Sequence, residues 1–184
     1  DWSLEPTASL YHTANSLEPL HAQFDYLKNT VSVVNDYYRS FNNYKVIARV
    51  YDINSRKVYE ESASVNLPED GVANDVLTIR FPENISQVHF IKLILKDEKG
   101  KEVSSNFYWR SNDKYEGKTT LTGPVASGFE DLSKLRTSKV KLAYKVREEG
   151  DNYFVDITMR NTSNQIAFFN QLQFLNAKMS PIRK

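Results

Sequence analysis

From Leu20 to Arg110 apolar residues recur at every second position, and no other feature constrains this chain more. A period of two belongs to a strand with one buried face, whereas a helix would need spacings of three and four. "HAQFDY" sets Ala22, Phe24 and Tyr26 on one face, and "TVSVVND" does the same with Val31 and Val33 before turn-prone Asn35-Asp36. "YKVIARVYD" turns Val46, Ala48 and Val50 inward, and Asn54-Ser55 offers the next turn. "KVYEESASVNL" continues with Ala63, Val65 and Leu67 until Pro68 stops it, and "DVLTIRF" alternates Leu77, Ile79 and Phe81 until Pro82. "VHFIKLILKD" alternates Ile91, Leu93 and Leu95 against Lys92 and Lys96, and "DEKGK" is a hairpin-type turn built on Gly100. "SSNFYWRS" closes the series, with Phe107 and Trp109 on one face and Tyr108 on the other.

These make seven strands in roughly ninety residues, the count and spacing of an immunoglobulin-like sandwich, with a small closed barrel as the rival topology. The aromatic cluster of the last strand admits two readings, a stacking platform for sugars or bases, or closing core. We favour core and assign Trp109 and Phe107 to it with Leu93 and Leu95, because a buried Trp removes far more apolar surface than a Val.

The flanks differ. Residues 1–19 lack the alternation; Leu10 and Ala14 stand at helical spacing, and Pro19 bars continuation, so a short helix or arm is expected. Residues 113–137 read as a linker ending in a helical turn, "GFEDLSKL", with Glu130 and Asp131 placed early as the helix dipole favours. Residues 138–184 show three further alternating runs, "KVKLAYKV", "YFVDITMRN" and "AFFNQLQFLNA". Three strands cannot make a two-sheet sandwich. The fold class is therefore all-β: an immunoglobulin-like β-sandwich over 20–112, then a second, truncated β-sandwich unit. That unit is expected to dock, to self-associate through its open edge, or to stay mobile.

Charge narrows the function. Lys and Arg total 24 against 23 Asp and Glu, which leaves no global field for nucleic acid or an anionic membrane. No apolar run approaches the ~18 residues of a membrane-spanning helix. Cysteine is absent, which removes disulfide scaffolds, thiolate metal sites and thiol catalysis. The chain opens on Asp1 and reads as an excised piece.

Candidate chemistry is sparse. His12, His21 and His89 stand in no metal-binding spacing, so neither a metal nor a cofactor is expected. His89 is placed on the strand face opposite Ile91 and Leu93, at solvent or an edge. Glu60-Glu61 and Glu148-Glu149 are adjacent on strands and point to opposite faces, so neither pair can straddle a glycosidic bond. No catalytic residue is assigned. One loop could bind something: in "NDYYRSFNNY", Tyr37, Tyr38, Arg39 and Phe41 compose either a sugar-stacking surface or a patch against a neighbouring domain.

Several runs together resemble family 2 glycoside hydrolases. "SLEPLHAQFDYLKNTVSVVNDYY" is similar to the junction where that family's catalytic barrel passes into a following β-sandwich. "FIKLILKDEKGKEVSSNFYWRS" looks like that sandwich's end, and "FEDLSKL" with "MRNTSNQIAFFNQLQFLNA" like the start of the next. Exo-β-D-glucosaminidases and β-mannosidases carry the nearest pattern. The resemblance implies that residues 1–19 are the tail of a barrel and that the family's two catalytic glutamates lie upstream, matching no position here. It further implies a non-catalytic accessory region from the C-terminal part of the enzyme. Its partners would be the barrel and neighbouring sandwiches, in a periplasmic or secreted protein. A carbohydrate-binding module and a cell-surface Ig-like interaction domain remain the alternatives.

Overall fold

A computed structural model describes residues 8–112, 119–120, 123–124, 128–176 and 178. The chain divides into two units, residues 1–134 and 135–184.

In the first unit α1 (Ala8–Ser16) leads into seven strands: β1 (Leu20–Asp25), β2 (Thr30–Asn35), β3 (Phe41–Asp52), β4 (Lys57–Leu67), β5 (Gly71–Thr78), β6 (Val88–Lys96) and β7 (Glu102–Ser111). They form two antiparallel sheets, ordered β1-β2-β5 and β4-β3-β6-β7. This is an Ig-like β-sandwich in which β4 joins the β3-β6-β7 sheet. The alternation fixes what faces inward: Ala22, Phe24, Val31, Val33, Val46, Ala48, Val50, Val65, Leu67, Leu77, Ile79, Ile91, Leu93 and Leu95 make one buried cluster between the sheets. Turn chemistry closes the hairpins where the sequence placed them. Ser55 takes a φ of 66° after Asp52, and Gly100 takes 78° while its N–H donates to Asp97 O at 2.9 Å. β5 begins earlier than its alternation suggests, at Gly71, and ends at Thr78.

Two expectations fail on β7. Trp109 and Phe107 are half-buried and point away from the inter-sheet core; Tyr108 is the residue of that strand that packs on it. The cause lies in the sheet edges. β1 pairs only with β2, which leaves backbone groups on its outer edge to be satisfied. The inward side chains of β7 do this: Asn106 Nδ2 donates to Ala22 O at 2.7 Å, and Phe24 N–H donates to Tyr108 Oη at 3.3 Å. The inward row of β7 is therefore polar, and its largest apolar groups go outward. There Phe107 stacks on Phe90 with centroids 5.6 Å apart, and Trp109 meets the His12 ring of α1 at 5.3 Å. Leu93 and Leu95 are fully buried between the sheets.

His89 is also corrected. It shares parity with Ile91 and Leu93, so it points inward and is buried against Phe81. Its Nε2 has no hydrogen-bond partner among the described residues.

After a two-residue ladder, β8 (Thr119–Thr120) with β9 (Gly123–Pro124), a short 3-10 helix runs over Glu130–Lys134. Among its described residues the second unit contains one antiparallel hairpin, β10 (Val140–Glu149) and β11 (Asn152–Asn161), turned at Gly150 with φ 63°. The third strand expected over "AFFNQLQFLNA" does not form over its described residues. Phe169 adopts a left-handed φ of 56°, and Asn170 Nδ2 donates to Ala167 O at 2.7 Å, a local turn that competes with a sheet ladder. Only Leu175 takes part in an isolated bridge. Among the described residues no helix is long and apolar enough to cross a membrane.

Candidate functional site

The β2–β3 connection is shaped by Asn35, which the sequence marked only as a turn residue. Asn35 ends β2 with no exposed surface. Its Nδ2 donates to Arg39 O at 2.8 Å and to Pro68 O at 2.6 Å, while its Oδ1 accepts from Tyr37 N at 3.1 Å. The Tyr37 carbonyl accepts from Asp70 N at 3.0 Å, and Asn43 N donates to Asn66 Oδ1 at 2.9 Å. The loop is thus tied to the β4–β5 turn through Asn35 and Tyr37, and the start of β3 is tied to the end of β4 through Asn43. An Asn followed by Asp at a strand end was the available signal, since Asx side chains bond backbone two residues on.

On this frame three of the four expected residues converge. Tyr37 meets Phe41 edge-on at 5.9 Å, and Phe41 meets Tyr44 at 5.2 Å. The Arg39 guanidinium lies 4.8 Å from the Phe41 ring centroid and 5.6 Å from that of Tyr37. Burial, then the charges of Asp97 and Glu98, raise the Tyr44 phenol above its ordinary value. Tyr38 does not join them: it is 87% exposed at the loop tip. The arrangement is a self-packed aromatic–guanidinium cluster carrying one outward ring. Its chemistry is contact and stacking.

Asn35→Ala should cost about 1–3 kcal/mol, because two carbonyls and one N–H would lose their partner together. Amide exchange at Tyr37 and Asp70 should accelerate with it. Unchanged exchange at both would show that Asn35 does not hold the loop.

The paired carboxylates do not assemble a site. Glu60 binds Lys57 and Arg49, each at 2.7 Å, and the two cations hold its carboxyl below the usual range. Glu61 instead accepts from the Tyr59 hydroxyl. Glu149 pairs with Arg147, and both Glu148 and Glu149 are exposed. Among the described residues no group of three or more His, Cys, Asp or Glu is placed to hold a metal.

The comparisons with known proteins fall on this frame. Residues 28–115, which take in the candidate loop and strands β2 to β7, match the family model described as Mannosidase Ig/CBM-like domain. Homology to exo-beta-D-glucosaminidases extends over nearly the whole chain. The enzyme of Arthroderma benhamiae is 25% identical over 182 residues, which cover 96% of this chain and 20% of that protein. That of Streptomyces avermitilis is 28% identical over 113 residues, covering 60% of this chain and 12% of the relative. In structure the chain superimposes on an exo-chitosanase of Amycolatopsis orientalis, solved with PNP-beta-D-glucosamine. The TM-score is 0.79 at 22% identity, over 94% of this chain and 22% of the other. This last likeness is one of fold. The chain thus spans about a fifth or less of the length of these relatives.

Proposed function

We propose that this chain is a non-catalytic accessory region of an exo-acting glycoside hydrolase of the exo-β-glucosaminidase type, and that it supports and positions neighbouring domains. The observation that carries this reading is the alignment of nearly the entire chain with a fifth of an exo-β-D-glucosaminidase, centred on an Ig/CBM-like domain. The named relatives favour glucosaminidase over the β-mannosidase alternative. On this reading the barrel and adjacent sandwiches are the partners, and the Tyr37–Arg39–Phe41 cluster faces one of them. A C-terminal position in the enzyme and a periplasmic or secreted location belong to the same proposal.

Purified chain should give no turnover of p-nitrophenyl β-glucosaminide or β-mannoside. Measurable hydrolysis that survives repurification would overturn the non-catalytic role. Carbohydrate binding is the second reading, and the exposed Tyr38 ring favours it, since a preorganised tyrosine offers contact area at low entropic cost. Saturable binding of glucosamine oligosaccharides, lost in Tyr38→Ala, would move the proposal to that reading.

A further inference from the structure

Arg110 is half-buried at the end of β7, on the strand face that looks between the sheets. Desolvation holds its guanidinium below its ordinary value. A guanidinium drawn out of water is usually paired with a carboxylate, yet among the described residues none pairs with Arg110. The carboxylates of this end of the sandwich are engaged elsewhere. Asp52, in the same register row on β3, is held by Arg56 at 2.8 Å. Asp25 accepts from the N–H groups of Leu27 and Lys28 at 2.8 and 3.0 Å. His89, between Asp52 and Arg110 in that row, is buried and neutral above a pH of about 4. What Arg110 does touch leaves most of its donors unused. Its Nη1 donates to Asn29 Oδ1, and the Phe81 ring centroid, 5.0 Å from the guanidinium carbon, offers no acceptor atom. Asn29 is itself fixed, with φ 59°, its N–H on Asp25 O at 2.9 Å and its carbonyl on Ile79 N at 2.8 Å. Tyr108 precedes Arg110 on the same face of β7, and Tyr26, edge-on to Tyr108 at 6.0 Å, is exposed to solvent.

We propose that Arg110, oriented by Asn29 and Phe81, is a binding site for a single carboxylate. The planar edge of a guanidinium meets a carboxylate through parallel hydrogen bonds, and the donors left over on Arg110 supply them. A phosphate or sulfate fits poorly, because one cation without a converging set of N–H groups leaves its second charge unmet. The aromatic flank of Phe81, Tyr108 and Tyr26 lowers the local dielectric, which strengthens the pair. An acidic side chain of an adjoining domain and an acidic sugar present this same group. Every wall of the site belongs to the seven-stranded sandwich, and the inference goes beyond the accessory role without depending on it.

The full chain is titrated with sodium acetate, against sodium chloride at equal ionic strength, while NMR follows the Arg110 Nε–H and the Asn29 side-chain amide. Acetate should shift both signals saturably, and chloride should not. Arg110→Gln should weaken acetate by about tenfold or more, read at the Asn29 amide. Asn29→Asp, read at the Arg110 Nε–H, should abolish acetate binding and raise the denaturation midpoint, because it supplies the carboxylate from within. Sodium glucuronate then separates the sources. Affinity equal to that of acetate assigns the site to a side-chain carboxylate, and tighter binding assigns it to an acidic sugar. Absence of a saturable shift with both anions overturns the proposal. So does an equal shift from chloride, or acetate binding that survives undiminished in both variants.

Discussion

Phe90→Ala should destabilise the first unit by about 3–5 kcal/mol, as much as a truncation between the two sheets. Phe90 has no exposed surface, yet it points away from the inter-sheet core. It is buried because the outer side of the β4-β3-β6-β7 sheet is itself apolar near β6. Ile47 and Ile94 are buried there as well, and Phe107 stacks on the Phe90 ring. Removing the ring would open a cavity whose walls are sheet backbone and rings pinned from neighbouring strands, and such walls relax little. Trp109→Ala should cost less, since Trp109 is half-buried at the margin of this layer and its site can admit water. Urea midpoints of the two variants, measured with m held equal to wild type, decide the order. A Phe90→Ala midpoint within error of wild type would mean that the outer layer contributes nothing.

That outer layer also shows where the sequence was informative. Alternation reads parity well: the inward residues named from β1 to β6 pack between or against the sheets, except Tyr26, which lies just past the end of β1 and is exposed. It does not say which parity wins when both are apolar. In β7 the choice between Trp109 and Tyr108 was decided by unpaired backbone on β1, a partner more than eighty residues away in the chain. In "AFFNQLQFLNA" the alternation is present, but over the described residues a local Asn turn prevails. The candidate loop was legible in composition, four aromatic or cationic residues between two clear strands. Its geometry was not. The buried amide of Asn35 gathers Tyr37, Arg39 and Phe41 and leaves Tyr38 outside, and hydrogen bonds to Pro68 O and from Asp70 carry no mark in the local sequence.

The other large effect should appear with pH. Burial, together with the positive charge of Arg110, drives the His89 imidazole down to about 4 from an ordinary value of 6.5, and its Nδ1 finds only the Ser86 carbonyl at 3.4 Å. The groups facing it offer little relief. Asp52, its register partner on β3, is held by Arg56 Nε and Nη2, both at 2.8 Å. Arg110, its partner on β7, sits over the Phe81 ring at 5.0 Å and bonds Asn29. Above pH 6.5 the folded and unfolded chains both carry a neutral imidazole, and His89 leaves stability unchanged. As pH falls through 6.5 the unfolded chain takes up a proton that the folded chain refuses, so stability drops until pH reaches about 4, a loss of about 3 kcal/mol. Asp25, whose carboxyl the N–H groups of Lys28 and Leu27 hold low, adds its own loss only as pH falls below 3.8. The two windows are therefore separable. His89→Leu removes both the titration and the orphaned Nε2, so the variant should hold its denaturation midpoint between pH 7 and pH 4.5 while wild type falls. Equal falls in both proteins would mean that some other group senses acid and that His89 gains a partner when it is protonated.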